Sequence, residues 1–89
     1  MAMYMLVVAG ATQVKTMPGS ICGMFVSSTT AAAVTIYDTH NGNTSDPKVI
    51  DTFTPVALGN YQFPTPIYTN KGIYIVVTGG AIEMTFIYE

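Results

Sequence analysis

Charged residues are scarce in this 89-residue chain, and arginine is absent. Three lysines and five acidic residues make up 9% of the sequence, whereas an ordinary soluble domain carries about 25%. Proteins that bind nucleic acid concentrate Lys and Arg on one face, so this composition argues against a nucleic-acid partner. A free monomer with so few charges has little to keep it in solution, which indicates that much of its surface is covered in the working state.

The chain also lacks the usual devices that stabilise a small domain. Its length allows one domain, residues 1–89, and a chain of this size buries only about 60% of its unfolded surface. Cys22 is the single cysteine and His40 the single histidine, so neither an intrachain disulfide nor a four-ligand zinc site can form. Oligomerisation is the remedy that remains. We therefore expect a homo-oligomer without a cofactor.

Long apolar runs are missing as well, because no stretch approaches the 18 or so residues of a membrane helix. The first 11 residues combine an apolar run with Ala9-Gly10-Ala11, which resembles a short signal peptide. The positively charged start of such a peptide is absent. We expect this segment to be the first strand, no membrane association, and a protein made in the cytoplasm with its thiol reduced.

What is present is an alternation of apolar and polar residues with period two. Two runs near the end, 73–78 and 82–88, flank Gly79-Gly80, and this pattern predicts a tight hairpin. Pro64 and Pro66 confine their region to a sheet edge. The other predicted strands are 3–9, 13–17, 20–28, 33–38, 48–54 and a brief 61–63. Seven to nine short strands predict an all-β domain, an antiparallel β-sandwich or a jelly-roll-like barrel.

Two connecting segments have a second interpretation. Residues 27–34 contain three alanines, but the run is too short for a stable helix, and we predict a turn. The polar stretch 39–47, with Asp38, Asp46 and Asp51 nearby, offers oxygen atoms of the kind that calcium binds. It does not follow the EF-hand spacing, and Asn and Asp also form turns. We expect an exposed loop, and ion or glycan binding there stays open.

Catalytic groups are few. A cysteine paired with a histidine can act as a nucleophile, but Cys22 lies within an apolar strand, where a free thiol usually packs as a small hydrophobe. His40 lies in the Asn- and Gly-rich loop, and no third orienting group is evident. The sequence therefore predicts that the protein is not an enzyme.

Six tyrosines, without any tryptophan, favour a protein interface or packing at the rim of the core over sugar binding. Tyrosine is common at protein interfaces, whereas sugar-binding modules usually rely on tryptophan. The N-terminal string M-A-M-Y-M-L-V-V is apolar on both strand faces, which is typical of a strand buried on both sides. One side could be covered by a neighbouring subunit. The candidate interface residues are Met3, Tyr4, Met5, Tyr37 and Tyr74.

Three strings occur in a characteristic order: P-G-S-I-C-G-M-F-V (18–26), A-V-T-I-Y-D (33–38) and F-P-T-P-I-Y-T-N-K-G-I-Y-I-V-V-T-G-G-A-I-E-M-T-F-I-Y (63–88). This order resembles a group of small bacteriophage virion proteins with β-sandwich or jelly-roll folds. Some members are capsid decoration (cement) proteins, often trimers seated where capsomers meet, and others belong to tails or fibres. The Met-rich N-terminal segment departs from the common pattern.

The resemblance implies a decoration protein that is assembled in the host cytoplasm and resides in the virion. It would form a homotrimer, bind the major capsid protein, and stabilise the head through subunit contacts. The resemblance brings no catalytic residues. A tail, neck or fibre component is the first alternative, and a carbohydrate-binding module for adhesion is the second.

Overall fold

The computed structural model describes residues 3–8 and 10–89, and its secondary structure in that range consists of strands alone. The eight strands are β1 (Met3–Val7), β2 (Gly10–Lys15), β3 (Ser20–Thr29), β4 (Ala33–Tyr37), β5 (Lys48–Phe53), β6 (Asn60–Tyr68), β7 (Ile73–Thr78) and β8 (Ile82–Tyr88). The alanine-containing segment 27–34 is not a helix, and the expected turn is confined to residues 30–32, because 27–29 belong to β3 and 33–34 to β4.

The strands form two antiparallel sheets of four. The first sheet has the order β1-β8-β3-β6, and the second has the order β2-β7-β4-β5. The pairings are nested, since β1 pairs with β8, β2 with β7, β3 with β6 and β4 with β5. The chain is thus one long hairpin rolled into a sandwich, which is the strand order of a jelly roll. The predicted fold class is confirmed.

The predicted hairpin around Gly79-Gly80 is wrong, although both of its strands exist. β7 belongs to the second sheet and β8 to the first, so the two glycines carry the chain across the sandwich. Gly79 has a positive φ of 81°, which serves a crossover as well as a hairpin. Beside it, a side chain at Gly80 would collide with the carbonyl oxygen of Thr30. Glycine here permits the close passage of two connections at one end of the sandwich.

Other strand boundaries also differ from the predicted ones, most of all those of β2 and β6. β2 occupies residues 10–15 rather than 13–17, and β6 extends over nine residues instead of the brief 61–63. The expected edge position of β6 is confirmed, and its pairing with β3 breaks between Gln62 and Ile67, around Pro64 and Pro66. β1 ends at Val7, and the predicted end of the first strand at residue 9 lies outside the described residues.

The core lies between the two sheets and consists of the inward side chains of each strand. Period-two alternation is clearest in β8, where every second residue is buried and the intervening ones are not. The buried apolar residues are Val7, Ile21, Met24, Val26, Ala32, Val34, Ile36, Ile73, Ile75, Val77, Ile82, Met84, Phe86 and Tyr88. Each sheet thereby buries one face and leaves the other outward, where a partner can reach it.

Candidate interaction surfaces

The outward face of the first sheet carries a cluster of mostly apolar side chains, which we call the outer patch: Tyr4, Leu6, Phe25, Thr85 and Ile87. Strand register brings them together, because Tyr4 lies opposite Ile87, and Thr85 lies between Leu6 and Phe25. Tyr4 is 79% exposed, Leu6 59% and Phe25 38%. Large apolar side chains gathered at one surface indicate an interaction site more than the same residues scattered singly.

The two apolar faces of β1 have different environments in the folded chain. Met5 and Val7 point inward and pack on the core, whereas Tyr4 and Leu6 point outward and are exposed. The reason is that β1 is an outer strand of a two-layer sandwich, in which only the inner face meets another sheet. Burial of the outer face would require a second molecule.

The five candidate interface residues do not form one surface. Tyr4 belongs to the outer patch, while Met5 is half-buried against the core. Met3 is 54% exposed at the start of β1. Tyr37 and Tyr74 lie on the second sheet and face away from the core, on the opposite side of the sandwich. A single flat interface can therefore include the β1 residues or the tyrosine pair, but not both.

Tyr37 and Tyr74 are direct cross-strand neighbours on β4 and β7. Their ring centroids are 6.4 Å apart with an interplanar angle of 47°, and both residues are half-buried. Gly42 of the polar loop has a positive φ of 71°, and a side chain there would lie 3.4 Å from the Tyr74 ring. The loop thus packs against one of the two rings and leaves a smaller aromatic platform than two free tyrosines would offer.

The polar loop 39–47 is organised by its own side chains. Thr39 is fully buried, and its hydroxyl donates to Oδ1 of Asn41 at 3.0 Å while accepting the backbone N–H groups of Asn41 and Asn43. The N–H of Ser45 donates to Oδ1 of Asn43 at 3.0 Å. These are the turn-forming roles expected of Thr and Asn. Most of the loop is exposed, as predicted, but it is anchored by a buried threonine.

Asp38 connects this loop to the turn before β7. Its carboxylate accepts the backbone N–H groups of Asn70 (2.9 Å), Lys71 (2.8 Å) and Gly72 (3.2 Å). Burial raises the pKa of Asp38, but the three donors and the Lys71 charge outweigh it, so the pKa lies below its ordinary value. We call these four residues the Asp38 clasp.

A second contact reinforces the clasp. The ammonium of Lys71 lies 2.7 Å from Oδ1 of Asp46, and this charged hydrogen bond is the main cause that lowers the pKa of the Asp46 carboxyl. The carboxylates of Asp38 and Asp46 are thus occupied by N–H and ammonium donors rather than arranged around a cation position. Within residues 3–8 and 10–89, no cluster of three or more His, Cys, Asp or Glu side chains could hold a metal ion.

The structure places Cys22 and His40 on different elements. Cys22 is half-buried on β3 of the first sheet, and His40 is exposed in the loop that follows β4 of the second sheet. Among the described residues, no hydrogen bond joins them. The two side chains therefore do not form the hydrogen-bonded pair that a Cys–His nucleophile requires.

Two clefts open on the surface of the described residues, and the sequence analysis predicted neither. One, of about 200 Å³, opens between the edge strands β5 and β6 and is lined by Met24, Ile50, Phe53, Tyr61 and Phe63. Phe53 and Tyr61 meet there edge to face, with centroids 5.7 Å apart. The other, of about 290 Å³, is lined by Lys15, Pro18, Gly19, Ser20, Tyr68, Thr69 and Glu89. The aromatic residues on either side of the β5–β6 connection are a sequence signal for the first of these clefts.

Comparison of the chain with models of protein families, with curated proteins and with solved structures finds no match. The described residues contain no helix of the length and hydrophobicity needed to cross a membrane. The outward surfaces, and above all the outer patch, are the features of this chain that bear on its function.

Proposed function

We propose that this chain is a structural subunit of a bacteriophage particle, a capsid decoration protein that binds the major capsid protein and further copies of itself. The observation that carries the proposal is the outer patch, an uncovered apolar sheet face in a chain with 9% charged residues. Such a face is costly to leave in water, and a permanent partner would remove that cost.

The mechanism is the burial of surface repeated over many copies. Specific interfaces generally bury more than about 1,000 Å², and burying one exposed leucine contributes about 1.5–3 kcal/mol. A few side chains of the size of Tyr4, Leu6 and Phe25 can thus act as the central anchors of an interface. Distributed over a capsid, such contacts oppose internal pressure because many must break at once.

The fold is compatible with this role. Jelly rolls occur among viral capsid proteins and among lectins, although a fold alone does not determine function. The phage assignment comes from the resemblance of segments 18–26, 33–38 and 63–88 to small virion proteins. A tail, neck or fibre component would use the same kind of apolar face, and its position in the particle would distinguish it from a decoration protein.

Binding to capsids tests the proposal. Purified protein is added to empty heads of the phage that encodes it, and co-sedimentation is measured for the wild type, Leu6→Glu and Thr78→Glu. Leu6 is in the outer patch, whereas Thr78 is an exposed residue of β7 in the second sheet. We expect Leu6→Glu to lose at least tenfold in affinity, because the buried leucine contributes about 1.5–3 kcal/mol and 1.4 kcal/mol corresponds to tenfold.

Thr78→Glu adds the same charge on the opposite sheet, and we expect it to bind as the wild type does. Failure of the wild type to bind heads, or an equal loss in both variants, would contradict the proposed docking through the outer patch. Binding to purified tails instead of heads would establish the alternative virion location.

The tyrosine pair supports a second candidate function, binding of a glycan during host adhesion. Tyr37 and Tyr74 lie side by side on one outward sheet face, and aromatic rings pack well against the apolar faces of sugars. A glycan array gives the test: saturable binding that is lost in Tyr37→Ala and Tyr74→Ala, and kept in Tyr4→Ala, would favour adhesion over decoration.

A further inference from the structure

The free edge of β1 differs from the other three free edges of the sandwich. In the described part of the chain, β1 pairs with β8 alone. Five consecutive residue pairs, from Met3 with Tyr88 to Val7 with Met84, follow one another without a register shift. Within Met3–Val7 there is neither a proline nor a charged residue. A regular, apolar, unpaired edge of this kind is a template for pairing with another strand.

Each of the other edge strands carries a feature that hinders such pairing. β6 contains Pro64 and Pro66, at a break in its register with β3. β2 has a register shift between Gln13 and Lys15. β5 has two register shifts and a pair of exposed charges, Lys48 and Asp51. Prolines, bulges and charges are the usual means by which proteins prevent edge-to-edge association.

The hydrogen bonds of β8 indicate which groups β1 presents at its free edge. Glu89, just after β8, exchanges both backbone hydrogen bonds with the first residue of β3, each 2.9 Å long, so its groups point toward β3. Because these directions alternate along a strand, the groups of Met84 point toward β1, where Val7 is its partner. Those of Tyr4 and Leu6 therefore point away from β8. Both residues are exposed, so four backbone hydrogen-bonding groups are available there.

We propose that β1 pairs antiparallel with β1 of a second copy of this chain about a two-fold axis at Met5, joining the two first sheets into one eight-stranded sheet. Tyr4 of each copy then lies opposite Leu6 of the other and exchanges both backbone hydrogen bonds with it. Met3 lies opposite Val7. The strand is its own complement, because apolar residues meet apolar residues and no like charges face each other.

This inference goes beyond the proposed function and does not depend on it, because it concerns the edge of β1 rather than the outer patch. It also changes the expected oligomer from a trimer to a dimer. A three-fold ring would require β1 to pair with a different edge of the next copy, and each of the other three edges carries a feature that hinders pairing. The joined sheet would place two outer patches side by side on one face.

Cysteine cross-linking tests the register of the pairing, in a Cys22→Ser background that removes the native thiol. At the two-fold axis, the two copies of residue 5 form a non-hydrogen-bonded pair with Cα atoms about 4.5 Å apart, within the range that a disulfide spans. We expect Met5→Cys to give a covalent dimer under mild oxidation, seen on a non-reducing gel.

Met3→Cys is the matched control on the same strand. In the proposed register residue 3 lies opposite residue 7 of the second copy, so the two cysteines would be four residues, or about 13 Å, apart along the strands. We therefore expect no cross-link. Equal cross-linking of both variants, or cross-linking of Met3→Cys alone, would overturn the proposed pairing.

The mass in solution gives an independent test. We expect the wild type to reach twice its 9.5 kDa as concentration rises in sedimentation equilibrium. Leu6→Pro removes an edge N–H without removing a bond to β8, and it should remain monomeric with an unchanged β-sheet circular dichroism spectrum. Leu6→Thr keeps the backbone groups and should still dimerise. A wild-type monomer at all concentrations, or a trimer, would refute the inference.

Leu6→Thr also separates this inference from the proposed function. The variant removes an apolar side chain from the outer patch but leaves the edge of β1 intact. Dimerisation with weakened capsid binding would support both proposals. Dimerisation of a wild type that does not bind capsids would support the edge pairing and contradict the decoration role.

Discussion

Removing the Asp38 carboxylate should loosen the end of the sandwich where two loops meet. Asp38 follows β4 directly, and its three N–H donors lie in residues 70–72, before β7. A hydrogen bond to a charged group contributes about 1.5–3 kcal/mol, and the partial exposure of Asp38 favours the low end for the whole clasp. We therefore expect Asp38→Ala to lower the free energy of unfolding by about 2 kcal/mol at pH 7.

The assay is thermal and urea unfolding of the wild type, Asp38→Ala and Asp38→Asn. For a domain of this size, 1 kcal/mol shifts Tm by about 4–8 °C, so Asp38→Ala should melt about 8–16 °C lower. Asp38→Asn keeps one acceptor oxygen but no charge, and we expect it to lower the free energy of unfolding by less than Asp38→Ala does. Asp51→Asn is the control, because Asp51 is a highly exposed carboxylate and water screens its ion pair with Lys48.

The pH dependence has a definite sign. The pKa of Asp38 is lowered in the folded protein, so its contribution is fully present above the unfolded pKa of about 3.9 and is lost as pH falls through the folded value. The wild type should therefore lose stability below about pH 4, and more than Asp38→Asn does. An Asp38→Ala protein as stable as the wild type, or parallel acid profiles, would refute the clasp as a stabilising contact.

Two further contrasts test packing. Phe86 is fully buried and Phe25 is 38% exposed in the outer patch. Phe86→Ala should lower the free energy of unfolding by about 3–5 kcal/mol, measured in urea. Phe25→Ala should lower it by less than about 1 kcal/mol and should mainly weaken capsid binding. Similar losses of stability in the two variants would contradict the assigned faces. Gly80→Ala would force its methyl against the Thr30 carbonyl and should cost about 1–3 kcal/mol. At Gly79, which has a positive φ, an added methyl would lie 3.5 Å from its nearest neighbour, the Ala31 carbonyl oxygen. Alanine there should cost about 1–2 kcal/mol from φ alone. A thermal melt of Gly80→Ala equal to that of the wild type would contradict the collision, and an unchanged Gly79→Ala would contradict the backbone strain.

The fold class was predictable because its signals are local. Period-two alternation, as in β7 and β8, identifies the strand and its buried face from neighbouring residues alone. The pairing of a strand cannot be predicted from neighbouring residues in the same way. Gly79-Gly80 permits a chain reversal, but it does not determine whether the next strand joins the same sheet. β6 was underestimated for a related reason: Pro64 and Pro66 interrupt the local pattern, while its pairing with β3 resumes on both sides of them.

The candidate surfaces were less predictable, because their residues come from distant parts of the sequence. Tyr4 was identified from its strand, but Phe25 and Ile87 join it only through the register of β3 and β8 with each other and with β1. The Asp38 clasp spans more than 30 residues between the carboxylate and its donors. Its sequence appearance, an aspartate before a polar loop, is the same as that of an ordinary turn residue.

The few charged residues of the chain are unevenly distributed between the two sheets. The four strands of the first sheet contain one charged residue, Glu83. The others lie on the edge strands of the second sheet, in the loops and at the last position: Lys15, Asp38, Asp46, Lys48, Asp51, Lys71 and Glu89. A general shortage of charge would have affected both sheets alike. The shortage is greatest in the first sheet, which holds both the outer patch and the free edge of β1. Few charges are expected on a sheet that contacts other subunits, as proposed above.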